Sequence, residues 1–257
     1  MSIILNEKEW VENALYNRQL GPKPTKTLAR VARYYHQDQG YSKKEVRNKL
    51  DTFLLRCDPD VILIHWDITL DRIAKNANKR PLIKLDGIGV TEAELASIST
   101  IDGKQRQRLA FTLLCIAKYW NAVNLSNNGW VNSSDKEIME MANIRTSIRR
   151  QSLMYYDMRA LGLIKYSKRI DNLNVRVEYI NDSSPEVLFI SDFRNLGSQY
   201  LMYLGESYFQ CFACGLTVKK KNNSHKYCSS CAADMYIKQS VDSVMRQRIY
   251  NRPPLIT

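Results

Sequence analysis

Apolar residues recur at helical spacing along most of the first 160 positions, and capping signals bracket the runs. A segment opened by Asn6 as a cap closes at Gly21-Pro22-Lys23-Pro24, residue types that stop one helix and start the next. In TLARVARYYHQDQG, Leu28, Val31 and Tyr35 fall near one helix face and Arg30 and Arg33 on another. Ser42-Lys43-Lys44-Glu45 reads as a capping box, the serine accepting from a free backbone N–H while the glutamate reaches back to the cap. Val46, Leu50, Phe53 and Leu54 continue from it at helical spacing. After Asp58-Pro59-Asp60, VILIHWDITLDRIAKNANK predicts a helix or a strand-to-helix passage. PLIKLDGIGVT predicts a short strand or turn pair, and Thr91 to Glu94 a second capping box. The strongest helix runs from Gln105 to Val123, with Leu109, Leu113, Ile116, Ala117 and Trp120 as its buried stripe.

Beyond it lie a polar loop, NLSNNGWVN, and a third capping box, Ser134 to Glu137, opening the short helix DKEIMEMA. Asn143-Ile144 is a turn. RTSIRRQSLMYYDMRALGLI then predicts a helix ending near Gly162, with Ile148, Leu153, Tyr156 and Leu161 supplying apolar packing. LIKYSKRI and VRVEYI are strand-like, joined by a turn at Asp171 to Asn174. Helix, short helix, longer helix and hairpin, carried by IMEMANIRTSIRRQSL and MRALGLI, resemble a winged helix-turn-helix domain. That resemblance implies a recognition helix whose N-terminal residues meet base edges or phosphates. Here they are Arg145, Thr146, Ser147, Arg149, Arg150 and Gln151. Arginine forks suit guanine and phosphate, glutamine suits adenine, and hydroxyls suit phosphate oxygens. The hairpin adds Lys165, Lys168, Arg169 and Arg176 as candidate backbone contacts.

Charge agrees with a polyanionic partner. Net charge is +12 and the pI about 9.4, a balance that favours nucleic acid. Residues 143–178 carry eight Lys/Arg against three Asp/Glu, a local +5, and residues 205–257 carry the same excess. The first 142 residues hold only +4. With 44% hydrophobic and 25% charged residues the composition is globular. No apolar run reaches the length of a membrane span, and the opening MSIILNEKEW lacks the order of a secretion signal. An intracellular, cytoplasmic protein is expected.

The most specific motif is CFACGLTVKKKNNSHKYCSSCA. Cys211, Cys214, Cys228 and Cys231 stand as C-x2-C-x13-C-x2-C, spacing that lets two thiolate pairs close a tetrahedron around Zn2+. The arrangement resembles a zinc ribbon or treble-clef-like finger. Four sulfurs would fill the shell, so the zinc is expected to be structural and His225 a loop residue. An intracellular chain disfavours disulfides. Lys219, Lys220 and Lys221 form a basic fingertip that could hold phosphates, and a helix follows in which Met235, Ile237 and Val241 would pack inward. Cys57 and Cys115 read as core thiols.

The expected fold is mainly α with small β elements. It comprises an N-terminal helical module (1–100), a winged helix-turn-helix (101–185), and a linker, zinc finger and C-terminal helix (186–257). LARVARYYHQDQGYSKKEVRNKLDTFL and LDRIAK loosely resemble the helical module of phage and plasmid primases. With no phosphate-binding glycine loop and no metalloprotease or hydrolase motif, no enzymatic role is expected. The leading expectation is a phage or mobile-element protein that binds double-stranded DNA in replication initiation or transcription control. The alternative is an interaction protein that docks on a host nucleoprotein complex and inhibits or redirects it, as an anti-CRISPR inhibitor does.

Overall fold

The computed structural model describes residues 3–167 and 174–250, with side chains to residue 245. The fold is mainly helical with small antiparallel strand pairs, as its patterning predicts. It divides into two compact units, Met1–Ile88 and Gly89–Thr257. The second therefore includes almost all of β1 (Ile88–Thr91) and the whole of α5 (Glu92–Ser99), which sequence reading grouped with the N-terminal module.

The first unit packs α1 (Glu7–Asn17), α2 (Pro24–Arg33), α3 (Lys43–Cys57) and α4 (Asp67–Lys75) around Leu28, Val31, Leu50, Phe53 and Leu70. The caps do what their residue types require. Asn6 accepts from the Glu9 N–H at 3.1 Å, Pro24 opens α2, and Ser42 and Glu45 form the reciprocal box that starts α3. A π-helical turn, Tyr34–Asp38, prolongs α2. Arg30 and Arg33 are not a solvated face. They converge on the buried Glu7 carboxylate at 2.9 and 2.7 Å, which also accepts from the Ile83 N–H at 3.1 Å. Asp67 and Asp71 meet Arg47 at 2.5 and 2.7 Å, tying α3 to α4. Cys57 is half-buried and Cys115 fully buried.

In the second unit α6 (Lys104–Val123) is the axis. Every residue from Leu109 to Tyr119 is buried, so the helix is enclosed all round rather than along one stripe, and Trp120 at its edge is half-buried. The enclosing elements are α5, α7 (Asp135–Met141), α8 (Ile148–Ala160), β3 (Val175–Val177) and α9 (Leu196–Tyr203). Full enclosure brings Lys118 inside, where it bonds the buried Glu94 at 2.9 and 3.0 Å and Asp182 at 2.8 Å.

The hairpin joins β2 (Ile164–Tyr166) to β3 with Ile164 opposite Val177, Lys165 opposite Arg176 and Tyr166 opposite Val175. A third short segment lies along the other edge of β3. Val131 N donates to Val175 O at 2.9 Å and Val177 N to Gly129 O at 3.0 Å. Gly129 is required there: its φ is +81°, and a Cβ would stand 2.8 Å from the Val177 carbonyl oxygen.

The start of the segment read as linker, zinc finger and C-terminal helix (186–257) is itself structured, forming β4 (Glu186–Ile190), which pairs with β1, and α9. Phe193 and Tyr200 reach α6, with ring centroids 5.6 Å from Tyr119 and 5.1 Å from Phe111. Gly197 allows α9 to lie against the end of α7, since a Cβ there would fall 2.0 Å from the Ala142 carbonyl oxygen. Among the described residues no helix is long and apolar enough to cross a membrane.

Candidate metal centre and basic surface

The cysteines converge on one point. β5 (Tyr208–Gln210) and β6 (Thr217–Lys219) form a hairpin whose turn carries Cys211 and Cys214. Gly215 takes a φ of +72° to close that turn, its N–H donating to Cys211 O at 2.8 Å. Cys228 and Cys231 sit at the start of α10 (Ser229–Tyr250). All four sulfurs lie within 4.8 Å of one another, and Cys214 and Cys228 Sγ are 3.8 Å apart. A tetrahedron with metal–sulfur bonds of about 2.3 Å has an edge of about 3.8 Å, whereas a disulfide needs about 2.05 Å. The donor set therefore fits a tetrahedral metal ion.

Their closeness makes the four sulfurs affect one another's ionisation. Burial works against a Cys211 thiolate, but backbone N–H donors, first the Cys228 N–H at 3.2 Å, hold its pKa down to about 6. Hydrogen bonding to the Cys228 and Cys214 sulfurs pushes Cys231 up to about 12. Four thiolates at this spacing repel, and a divalent cation removes that cost. His225 stays outside the set. Its Nδ1 accepts from the Lys221 N–H at 3.2 Å and its ring meets Phe209 at 4.7 Å. The finger is fastened to the loop before α9, where Arg194 donates to Cys214 O at 2.6 Å and Asn195 to Thr217 O at 3.2 Å.

The second constellation is the α7–turn–α8 segment. Asn143 adopts a φ of +52° to make the turn, and its carbonyl accepts from Arg108 at 3.1 Å. α8 begins later than the sequence suggested, because Ser147 is its N-cap and accepts from the Arg150 N–H at 3.4 Å. Arg145 and Thr146 therefore lie in the turn. At the far end, Gly162 N and Leu163 N donate to Arg159 O and Met158 O at 2.9 and 3.0 Å, a Schellman closure. Arg145, Arg149 and Arg150 are exposed, and among the described residues no acidic group pairs with them. Gln151 is half-buried, and its amide nitrogen donates to Thr146 O at 3.0 Å.

α8 packs inward through Met154, Tyr155 and Met158. Ile148, Leu153, Tyr156 and Leu161, expected to pack, are 80, 52, 64 and 58% exposed. The outer line of the helix thus carries a cation in its first turn and apolar groups beyond it, with Arg149, Leu153 and Tyr156 at positions i, i+4 and i+7. A groove beside its first turn is lined by Met139, Ile144 and Ile148 together with Glu140 and Arg145.

The hairpin cations differ from those of α8. Lys165 and Arg176 stand directly opposite, an unfavourable like-charge pairing, and Glu178 relieves it by accepting from Lys165 at 2.7 Å and from Arg176 at 2.5 and 3.0 Å. The Arg176 guanidinium, with Lys165, holds the Glu178 carboxyl down to about 2. Lys168 and Arg169 lie outside the described residues. On the finger, Lys219 and Lys221 are exposed and Lys220 half-exposed. α10 does not pack as expected: Ile237 and Val241 are 60 and 51% exposed, and Met235 is only half-covered. Comparison with protein-family models, curated protein sequences and solved structures finds no match to this chain.

Proposed function

We propose that this chain is a non-enzymatic, sequence-reading or backbone-reading protein of double-stranded DNA, in which α7 and α8 act as a helix-turn-helix, β2–β3 as a wing, and the four cysteines hold a structural Zn2+. A role in replication initiation or transcription control follows from that class of activity. The observation that carries the reading is the first turn of α8. There Arg149 and Arg150, with Arg145 in the turn just before the Ser147 cap, are exposed and, among the described residues, without acidic partners, at the helix's positive end. An excess of +5 over residues 143–178 supports it. Zn2+ would be held by Cys211, Cys214, Cys228 and Cys231, supplying folding energy to the finger and no chemistry, because four thiolates leave no site for water.

Fluorescence anisotropy on a labelled mixed-sequence duplex tests the reading. Replacing Arg149 and Arg150 by Ala removes two phosphate or base contacts. It should weaken binding by at least tenfold and flatten the log–log salt dependence by about 1.8. Unchanged affinity would remove α8 from the interface.

A second reading is favoured by one observation, the exposed Ile148, Leu153 and Tyr156 on the same helix. Such side chains suit a protein groove, so α8 could dock on a protein partner. A stoichiometric protein recovered from nuclease-treated lysate, and lost on Leu153→Asp, distinguishes this from DNA binding.

A further inference from the structure

The fingertip carries an aromatic that its own fold does not use. Phe212, between the first two cysteines, is 84% exposed. Its backbone N–H donates to Lys226 O at 3.0 Å, which fixes it beside the irregular segment leading to Cys228. Tyr227 meets its ring edge-on, with centroids 6.4 Å apart and planes at 86°, so the neighbour braces Phe212 without covering it. From Tyr208 to Cys228 the finger contains Lys219, Lys220, Lys221 and Lys226 and no Asp or Glu. With four thiolates on one divalent ion contributing −2, the finger keeps a net +2.

We infer that the finger is a binding site for single-stranded nucleic acid, with Phe212 stacking on an unpaired base, Lys226 beside it holding an adjoining phosphate, and Lys219, Lys220 and Lys221, at the other end of the β5–β6 hairpin, holding phosphates further along the strand. Exposure of a large ring costs solubility unless a flat partner covers it, and the absence of acidic groups selects a polyanion. A base inside a duplex has its faces already stacked, so a phenyl ring must spend a few kcal/mol unstacking a base step to enter a duplex, whereas an unpaired base offers its face without that cost. Phe212 has no hydrogen-bonding group, so the site should tolerate any sequence. Unpaired DNA and RNA share the required chemistry. This inference goes beyond duplex binding by α8 and stands whether or not that reading holds.

The test uses the full chain loaded with Zn2+, with labelled dT20 and rU20 in separate titrations and an unlabelled hairpin duplex as competitor. Phe212→Ala should weaken binding of the preferred strand by about 5- to 150-fold, the worth of one stacked base, and Phe212→Trp should restore it. Duplex affinity should be unchanged in Phe212→Ala. Single-strand affinity should survive Arg149→Ala/Arg150→Ala, which separates failure of this site from failure of α8. Zinc stoichiometry and circular dichroism of Phe212→Ala should match the parent chain, so that any loss is assigned to stacking. The tighter of the two titrations names DNA or RNA. The inference is overturned if neither strand binds the parent chain, if Phe212→Ala binds both as the parent does, or if its loss is equal on the duplex.

Discussion

Lys118→Met removes one ammonium from the enclosed axis helix while keeping most of its aliphatic volume. Glu94 is then left wholly buried with a charge and no cation. Breaking a buried pair in this way costs about 3–5 kcal/mol. The lower end applies, because Glu94 still accepts from the Thr91 and Asn181 N–H groups at 2.8 and 3.0 Å. Asp182 adds little, since its side chain is 73% exposed. About 3 kcal/mol lowers the melting temperature of a unit of this size by about 6–12 °C, measurable by circular dichroism. Adding Glu94→Gln removes the stranded charge but keeps an acceptor for only one of the two N–H groups, which bond different carboxylate oxygens; losing one neutral hydrogen bond costs less than an unpaired buried charge, so the double variant should be more stable than Lys118→Met alone. The effect also has a pH signature. Burial opposes the Lys118 charge, but hydrogen bonds to Asp182 and Glu94 outweigh it and hold its pKa above the ordinary lysine value. The pair's contribution is therefore complete below about pH 10.4 and lost as pH rises through the higher folded value. A cost below about 1 kcal/mol for Lys118→Met at pH 7 would refute the argument, as would a double variant weaker than the single one.

Gly197→Ala forces α9 away from the Ala142 carbonyl by more than 1 Å and should cost at least about 1–3 kcal/mol in urea denaturation. Glu178→Gln should release Lys165 and Arg176, raising duplex affinity and steepening its salt dependence in anisotropy titrations. In the parent chain, NMR titration should find Glu178 ionised down to about pH 2; its contribution to stability is present above the ordinary carboxylate value and lost as pH falls through that point. Chelation should remove one zinc per chain and abolish protection of the β5–β6 amides in hydrogen exchange, leaving α6 protected.

Local grammar was the most legible part of the sequence. The capping boxes at Ser42 and Thr91, the helix from Gln105 and the glycine closing α8 each depend on residues a few positions apart, and each stands where its pattern placed it. The four cysteines were legible for the same reason, since their spacing leaves few arrangements. What needed three dimensions was the choice between two apolar faces. α8 carries Leu153, Met154, Tyr155 and Tyr156 in a row, so periodicity alone could not tell that Met154, Tyr155 and Met158 would turn inward. α9 was hidden because Leu196, Tyr200 and Leu201 are its only clear helical signal and Gly197 argues against a helix until its close contact is seen. The neutralisation of Lys165 and Arg176 by Glu178 required the strand register, which charge counting ignores.

The six thiols fall into unequal chemical situations. Four are engaged with one another, and Cys115 is sealed inside α6. Cys57, half-covered at the end of α3, is left as the one sulfur a maleimide can reach in the metal-loaded chain. Burial pushes its thiol up, so mildly alkaline buffer will speed the reaction. A single dye would then mark residues 1–88 without mutagenesis. Energy transfer from it to a labelled oligonucleotide would then test the proposed binding of nucleic acid on the unaltered sequence.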